Sequence, residues 1–168
     1  MPKIIKDLKN KLIEETKKQA LEKGYTAVTI RSVAAGCKVG VGTVYNYFSS
    51  KDELFAAFML EDWNSAMRRV GELAAASDNA APVVKNLYDE LSGFIRTHYS
   101  VLSDHGAIAA FRQSNESYHG MLRRSMAANL NGFFEDPFTA EFIAEAMLTW
   151  TVIGKSYDDI GKQINKLI

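Results

Sequence analysis

The 168-residue sequence contains one cysteine, Cys37, so the chain cannot form an internal disulfide. Its longest apolar run, residues 54–60, is far too short to cross a bilayer. No apolar segment near the amino terminus suggests export. We therefore expect a cytoplasmic protein in a reducing compartment, with no membrane partner.

The sequence also lacks the usual signatures of an enzyme or a metalloprotein. It has no glycine-rich loop of the nucleotide-binding type. Cys37 lies on the inner face of a predicted helix with no histidine nearby in sequence, which favours structural burial over a nucleophile. The histidines and acids between residues 98 and 119 match no zinc spacing. We predict no enzyme activity, no catalytic residues, no metal and no cofactor.

Net charge is zero, but the charges are unevenly distributed along the chain. Residues 1–51 carry ten lysines and arginines against four acidic residues, and the remainder carries ten against sixteen. The two parts therefore have balances of +6 and −6. A basic head joined to an acidic body is the arrangement expected of a DNA-binding domain on a separate regulatory domain.

Hydrophobic spacing predicts helices throughout, and no segment alternates as a hairpin strand would. Residues 3–23 are predicted to form an amphipathic helix that ends at Gly24. Ser50 and Glu53 have the spacing of a capping box, which begins a helix over about 51–75 with a broad apolar band. A loop over 77–82 precedes four further helices and a last short one, predicted over 83–102, 106–112, 117–134, 139–154 and 160–167. The fold class is predicted to be all-α.

The predicted helix over 139–154 is apolar nearly all round, so it should be buried on both sides. We place Leu148 and Val152 on one face. Because this helix lies near the end of a small chain, a second copy of the chain is expected to cover one side. The opposite face is predicted to carry Phe142, Ile143, Ala146, Met147, Trp150 and Ile153.

Residues 28–54 have the pattern of a helix, a tight turn and a second short helix. The first helix places Ile30, Val33, Ala34 and Cys37 on one face, and a break follows at 38–40. The second helix, over about 41–48, is too short to be stable alone, so it must dock through Val44 and Phe48. This is the construction of a helix-turn-helix recognition helix. The residues left projecting outward are Val41, Thr43, Tyr45, Asn46 and Tyr47.

The run Gly42-Thr43-Val44-Tyr45-Asn46-Tyr47-Phe48, followed by Ser49-Ser50-Lys51-Asp52-Glu53-Leu54, resembles the signature of TetR-family transcriptional regulators. The resemblance covers about residues 3–60. Two positions depart from the family pattern: Lys38 stands where a turn glycine is usual, and Gly40 where a serine cap is usual. Glycine is itself a tolerable N-cap, so the motif remains.

This resemblance implies a DNA-binding domain over residues 1–50 and a helical regulatory and dimerisation domain over 51–168. By the family motif, Tyr47 and Lys51 contact phosphates, and Thr29 starts a helix that faces the DNA backbone. Arginine can bind guanine, asparagine adenine, and a methyl group thymine. The residues predicted to face the groove are Arg31, Val41, Thr43, Tyr45 and Asn46. Packing of Tyr45 or Tyr47 in the head core is the structural alternative.

Three polar residues interrupt apolar bands of the second domain: Asp62, His98 and Asn129. Burying such groups is costly unless they have partners, so internal hydrogen bonds or ion pairs are one explanation. TetR-like proteins hold small effectors between the helices of this domain, so the three residues could instead line an effector pocket. The other residues predicted to line that pocket are Trp63, Phe94, Tyr118 and Trp150.

The resemblance implies a homodimer that binds a palindromic DNA operator and responds to a small-molecule effector, most simply as a repressor. Effector binding would move the 51–75 helix and change the spacing of the two heads. Two alternatives stay open. One is a dimeric DNA-binding protein with no effector, and the other is a helical enzyme that retains the head without its function.

Overall fold

The computed structural model describes residues 7–104 and 118–168. All regular structure in these two stretches is helical, which confirms the predicted all-α class. Within the same residues, no helix is long and apolar enough to span a membrane. The helices are α1 (Leu8–Lys23), α2 (Ile30–Gly36), α3 (Val41–Tyr45), α4 (Lys51–Ala75), α5 (Ala80–Thr97), α6 (Tyr99–Leu102), α7 (Tyr118–Ala128), α8 (Pro137–Val152) and α9 (Tyr157–Ile164).

Local chemistry explains where several helices begin and end. Gly24 ends α1 in the left-handed region, with φ 77°, and its N–H donates to the carbonyl of Ala20 at 2.9 Å. Helix α5 begins three residues earlier than predicted, because the side chain of Asn79 accepts a bond from the N–H of Ala81. Pro82 then falls in the first turn, where a missing N–H is tolerated.

Other predicted boundaries require correction. The single helix predicted over 83–102 is two helices, since α5 ends at Thr97 and α6 begins at Tyr99. Helix α7 ends at Ala128, and a 3₁₀ turn over Asn131–Phe133 follows. Helix α8 begins at Pro137 rather than Thr139, because the side chain of Asp136 caps the N–H of Phe138 at 3.0 Å. The helical piece predicted over 106–112 lies outside the described residues.

The chain divides into two compact units. Of the described residues, the first unit contains 7–62 and 97–104, and the second contains 63–96 and 118–168. The predicted boundary after residue 50 coincides with the start of α4, whereas the first unit continues along α4 to Asp62.

In the first unit, α1, α2 and α3 bury one apolar face each. Leu12 and Ala20 of α1, Val33 of α2 and Val44 of α3 are all buried, as the spacing predicted. Cys37 is half-buried, and its Sγ lies 3.4 Å from the carbonyl of Lys11. The first half of α4 adds Leu54, Phe55, Phe58 and Met59 to the buried apolar residues of this unit.

The core of the second unit lies among α4, α5, α7, α8 and α9. The predicted faces of α8 are partly wrong: Leu148 is buried, and Phe142, Trp150 and Ile153 are exposed. Periodicity could not assign the faces because this helix is apolar on nearly every side. The buried residues of α8 are Ala140, Ile143, Ala144, Met147, Leu148 and Thr151.

Phe48 and Tyr47 allow a matched test of how the recognition helix is held. Phe48 is 2% exposed and Tyr47 is 43% exposed. We expect Phe48→Ala to lower the free energy of unfolding by about 3–5 kcal/mol, because it leaves a cavity beneath α3. Tyr47→Ala should change it by no more than about 0.5 kcal/mol. Urea denaturation measures both variants, and equal effects would show that α3 is not docked through Phe48.

Candidate nucleic-acid interface

The short helix α3 presents most of its side chains outward. Its N-cap is Gly40, whose carbonyl accepts a bond from the N–H of Thr43 at 2.9 Å. The helix ends at Tyr45, and a turn continues the same path, with the Tyr47 N–H donating to the carbonyl of Val44. Because Val44 and Phe48 are buried, the neighbouring side chains must face away from the core.

The predicted groove-facing residues on α3 are all accessible. Tyr45 is 54% exposed, Asn46 is exposed, and Val41 and Thr43 are half-buried. Tyr47 is also exposed, so neither tyrosine is packed in the head core as the structural alternative required. These side chains offer an amide, hydroxyls, a methyl surface and aromatic rings, which together can bind base edges and phosphates.

Helix α2 begins with a reciprocal cap. The side chain of Thr29 accepts a bond from the N–H of Ser32 at 3.0 Å, and the N–H of Thr29 donates to the hydroxyl of Ser32 at 3.1 Å. Two residues into this cap, Arg31 is exposed. Thr29 and Arg31, both predicted to lie near DNA, are therefore on the surface at the start of the first motif helix.

A buried amide joins α1 to α2. The hydroxyl of Ser32 donates to Oε1 of Gln19 at 2.6 Å, and Nε2 of Gln19 donates to the Ser32 carbonyl at 3.0 Å. Gln19 also donates to Glu15 within α1. Sequence reasoning missed this link, although a glutamine three residues after the buried Thr16 signals a polar partner.

Lys51 is held at the amino terminus of α4. Its Nζ donates to the carbonyl of Tyr25 at 3.0 Å and lies 3.8 Å from the centre of the Tyr25 ring. These contacts offset the unfavourable placement of a cation at a helix amino terminus. One of three ammonium donors is therefore in use, and Lys51 remains half-exposed with donors to spare.

The same turn is fixed by two carboxylates. The hydroxyl of Tyr25 donates to Asp52, and burial and this carboxylate raise the pKa of Tyr25 above its usual value. Ser50 caps Glu53 as predicted, with the Glu53 N–H donating to its hydroxyl at 3.1 Å. The reciprocal bond differs, because the Glu53 carboxylate accepts from the N–H and hydroxyl of Ser49. Those donors lower the pKa of Glu53.

Two residues predicted to line an effector pocket, Asp62 and His98, contact each other within the first unit, and Asp62 also contacts α1. Nε2 of His98 lies 3.0 Å from one carboxylate oxygen of Asp62, and Nζ of Lys17 donates to the other at 2.5 Å. His98 is 1% exposed. The interhelix bonding that was the other explanation for these two residues is therefore present.

A second polar contact joins the segment after α6 to the head. The hydroxyl of Thr26, in the connection between α1 and α2, donates to the carboxylate of Asp104 at 2.6 Å. Helix α6 itself packs against α1. No local pattern could have predicted these contacts, because they join residues almost eighty positions apart.

In the second unit, three predicted pocket residues form one cluster. Nε1 of Trp63 donates to the hydroxyl of Ser125 at 2.7 Å, and the amide of Asn129 donates to the Ser125 carbonyl at 3.0 Å. The ring of Phe94 packs edge-on against Trp63, with centroids 5.2 Å apart.

The two remaining pocket residues have different environments. Tyr118 is half-buried, and burial raises the pKa of its hydroxyl. Trp150 is 47% exposed on α8 and lines a groove with α9. The structure therefore places Trp150 on the surface of this unit, and the assignment of all seven residues to an effector pocket remains a prediction.

Comparison with known proteins defines the class. Residues 12–58 match the family model described as bacterial regulatory proteins, tetR family. The chain is 29% identical over 86 residues to the HTH-type transcriptional repressor DhaR of Mycobacterium sp. (strain GP1), a match that covers 51% of this chain and 42% of DhaR. A docked short helix with exposed polar and aromatic side chains, matched in this way, identifies residues 12–58 as a helix-turn-helix domain of the kind found in these regulators.

Solved structures agree in fold. A TetR-family transcriptional regulator from Pectobacterium atrosepticum superposes with a TM-score of 0.69 at 15% identity, covering 96% of this chain and 91% of that one. The multidrug binding protein EbrR, complexed with imidazole, gives 0.68 at 18% identity, covering 96% and 90%. Residues 12–58 therefore carry a helix-turn-helix domain of the tetR family, which confirms the resemblance seen in the sequence.

The buried His98 should make stability depend on pH. Burial lowers the pKa of His98 below its ordinary value, while Asp62 acts in the opposite direction. The unfolded chain therefore binds a proton at His98 more readily than the folded chain below about pH 6.5. We therefore expect the free energy of unfolding to fall as the pH decreases from 7 to 5.

Urea denaturation of wild type and His98→Gln at both pH values measures this dependence. In the variant, the free energy of unfolding should depend less on pH, because the contribution of His98 is lost. Its stability at pH 7 will also fall. His119→Gln, which changes an exposed imidazole, is the control and should retain the His98 contribution. An unchanged pH dependence in His98→Gln would show that His98 protonation does not oppose folding.

Proposed function

We propose that this chain is a ligand-responsive transcriptional repressor that binds a palindromic operator as a homodimer. The observation that carries the proposal is the docked recognition helix. Val44 and Phe48 anchor α3 to the head, and Tyr45, Asn46 and Tyr47 are left exposed. In such a motif the second helix enters the major groove while the first crosses the DNA backbone.

Within this proposal, the residues divide by what they contact. One set faces base edges, because its side chains are accessible and carry donors or methyl groups suited to the bases. This set is Arg31, Val41, Thr43, Tyr45 and Asn46. Thr29, Tyr47 and Lys51 contact phosphates, which supply affinity and fix the register. The +6 balance of residues 1–51 supports both sets of contacts electrostatically.

An exposed apolar stripe on α8 supports the homodimer. Phe138, Phe142 and Trp150 are 66%, 50% and 47% exposed, and their spacing of four and eight residues places them on one side of the helix. The adjoining groove is lined by α8 and α9, with the exposed Leu167 at its edge. Neighbouring exposed aromatic side chains are typical of an interface, and a second copy can cover them by two-fold symmetry.

Two copies related in this way would carry two heads. To bind successive major grooves, the recognition helices must lie about 34–36 Å apart. An effector would release the operator only if it binds more tightly to a form in which that spacing is lost. EbrR, which has the same fold, is a multidrug binding protein complexed with imidazole, and this supports a small-molecule effector for the present chain.

One observation favours a second candidate, a dimeric DNA-binding protein with no effector. Asp62 and His98 bind each other, and Trp63 and Asn129 bind Ser125, so these polar groups have partners within the protein. A thermal-shift screen of small molecules separates the candidates. A compound that raises the melting temperature and weakens DNA binding supports the repressor, and a screen without one supports the effector-independent protein.

Selection of bound fragments from a random DNA pool, at a stated salt concentration, tests the DNA-binding proposal and yields an operator. On that operator we expect Asn46→Ala to cost about 1–3 kcal/mol of binding free energy and to relax preference at one position. Asn64→Ala, an exposed asparagine of the second unit, is the matched control and should bind as wild type does. Equal losses on every sequence would refute base contact by Asn46.

Replacement of an apolar side chain on the α8 stripe tests the homodimer. We expect Phe142→Glu to shift the protein from dimer to monomer, because a carboxylate would be buried without a partner. Sedimentation velocity measures the change. Tyr99→Glu makes the same kind of substitution at a 67% exposed ring of the first unit and should leave the dimer intact. A Phe142→Glu protein that remains dimeric would exclude this stripe as the interface.

A further inference from the structure

The turn between α2 and α3 contains an unusual backbone conformation. Lys38 has φ 57°, in the left-handed region, and among the described residues only Asp7 shares this property without being glycine. The N–H of Lys38 donates to the carbonyl of Ala35 at 3.1 Å, and that of Val39 to the carbonyl of Ala34 at 2.9 Å. These bonds close the end of α2, a place where glycine is the preferred residue.

In the described part of the chain, no side-chain contact stabilises a lysine at this position. Its side chain is exposed, and no ion pair or side-chain hydrogen bond joins it to residues 7–104 or 118–168. Aspartate and asparagine tolerate the left-handed region through local hydrogen bonds, but lysine has no such help. Strained backbone of this kind is concentrated at functional positions, where surrounding structure holds it in place.

The position of Lys38 indicates what the side chain can contact. It stands two residues before Gly40, the N-cap of the recognition helix. Since the start of that helix enters the major groove, a side chain just before it lies at the rim, where the phosphates are. The two backbone bonds of the turn fix the base of the side chain, and an ammonium is a suitable point charge for a phosphate.

We propose that Lys38 is a phosphate-anchoring residue of the DNA-binding head, positioned at the edge of the groove by the left-handed turn. This inference rests on the proposed function, because it requires that α3 enters the major groove. Lys38 contributes affinity without sequence preference, since phosphates are alike on every sequence.

Three variants separate the charge of Lys38 from its backbone conformation. Lys38→Gln removes the charge and keeps a side chain. Lys38→Gly removes the charge and suits the left-handed turn. Lys38→Arg keeps the charge. The matched control is Lys162→Gln, which neutralises an exposed lysine of α9 in the second unit.

Fluorescence anisotropy over a range of salt concentrations, on the selected operator and on an unrelated duplex, measures the effect. The Gln and Gly variants should weaken binding equally on both duplexes and reduce the slope of log K against log salt by about one per bound chain. The Arg variant and the Lys162 control should keep the wild-type slope. The melting temperature of Lys38→Gly should equal or exceed that of wild type, which excludes unfolding as the cause.

Two results would overturn the inference while leaving the proposed function intact. One is a wild-type protein that binds DNA with Lys38→Gln showing the same affinity and slope. The other is a loss in Lys38→Gly that is absent in Lys38→Gln, which would assign the effect to the backbone of the turn. A wild-type protein with no salt-dependent DNA binding would instead overturn the proposed function and this inference together.

Discussion

The docking of a five-residue helix determines which side chains the helix-turn-helix motif exposes. Helix α3 makes too few backbone hydrogen bonds to persist alone, so its conformation depends on the burial of Val44 and Phe48. When those two side chains are buried, helical geometry points the side chains between them, Tyr45, Asn46 and Tyr47, toward solvent. The apolar contact that stabilises the motif is therefore also the contact that presents its polar side chains.

Polar contacts then hold the other elements of the first unit around that motif. Gln19 joins α1 to Ser32 of α2, and Asp62 of α4 binds both Lys17 of α1 and His98. Such contacts are directional and become costly when one partner moves away, so they restrict the arrangement of the helices in addition to apolar packing. The head is thus positioned by residues that lie well beyond the helix-turn-helix itself.

How far the site could be predicted differs from residue to residue. The recognition helix was predictable because its signal is local. Two apolar residues four positions apart, Val44 and Phe48, indicate one buried helical face, and the capping serine Ser50 follows directly. The partners of Asp62 and His98 were not, because an interrupted apolar band shows only that a polar group is buried. Whether a ligand or another side chain satisfies it depends on residues distant in sequence, here Lys17 of α1.

By itself the sequence determined the helical class, the basic head and the motif that presents α3, since all three depend on composition or on spacing within a few turns. Tertiary structure decided which side of α8 faces solvent, because a helix apolar on nearly every side carries no directional signal. It also decided that the segment from His98 to Asp104 joins the head, through contacts with Asp62 and Thr26. Those contacts arise only when the folded chain brings distant residues within hydrogen-bond distance.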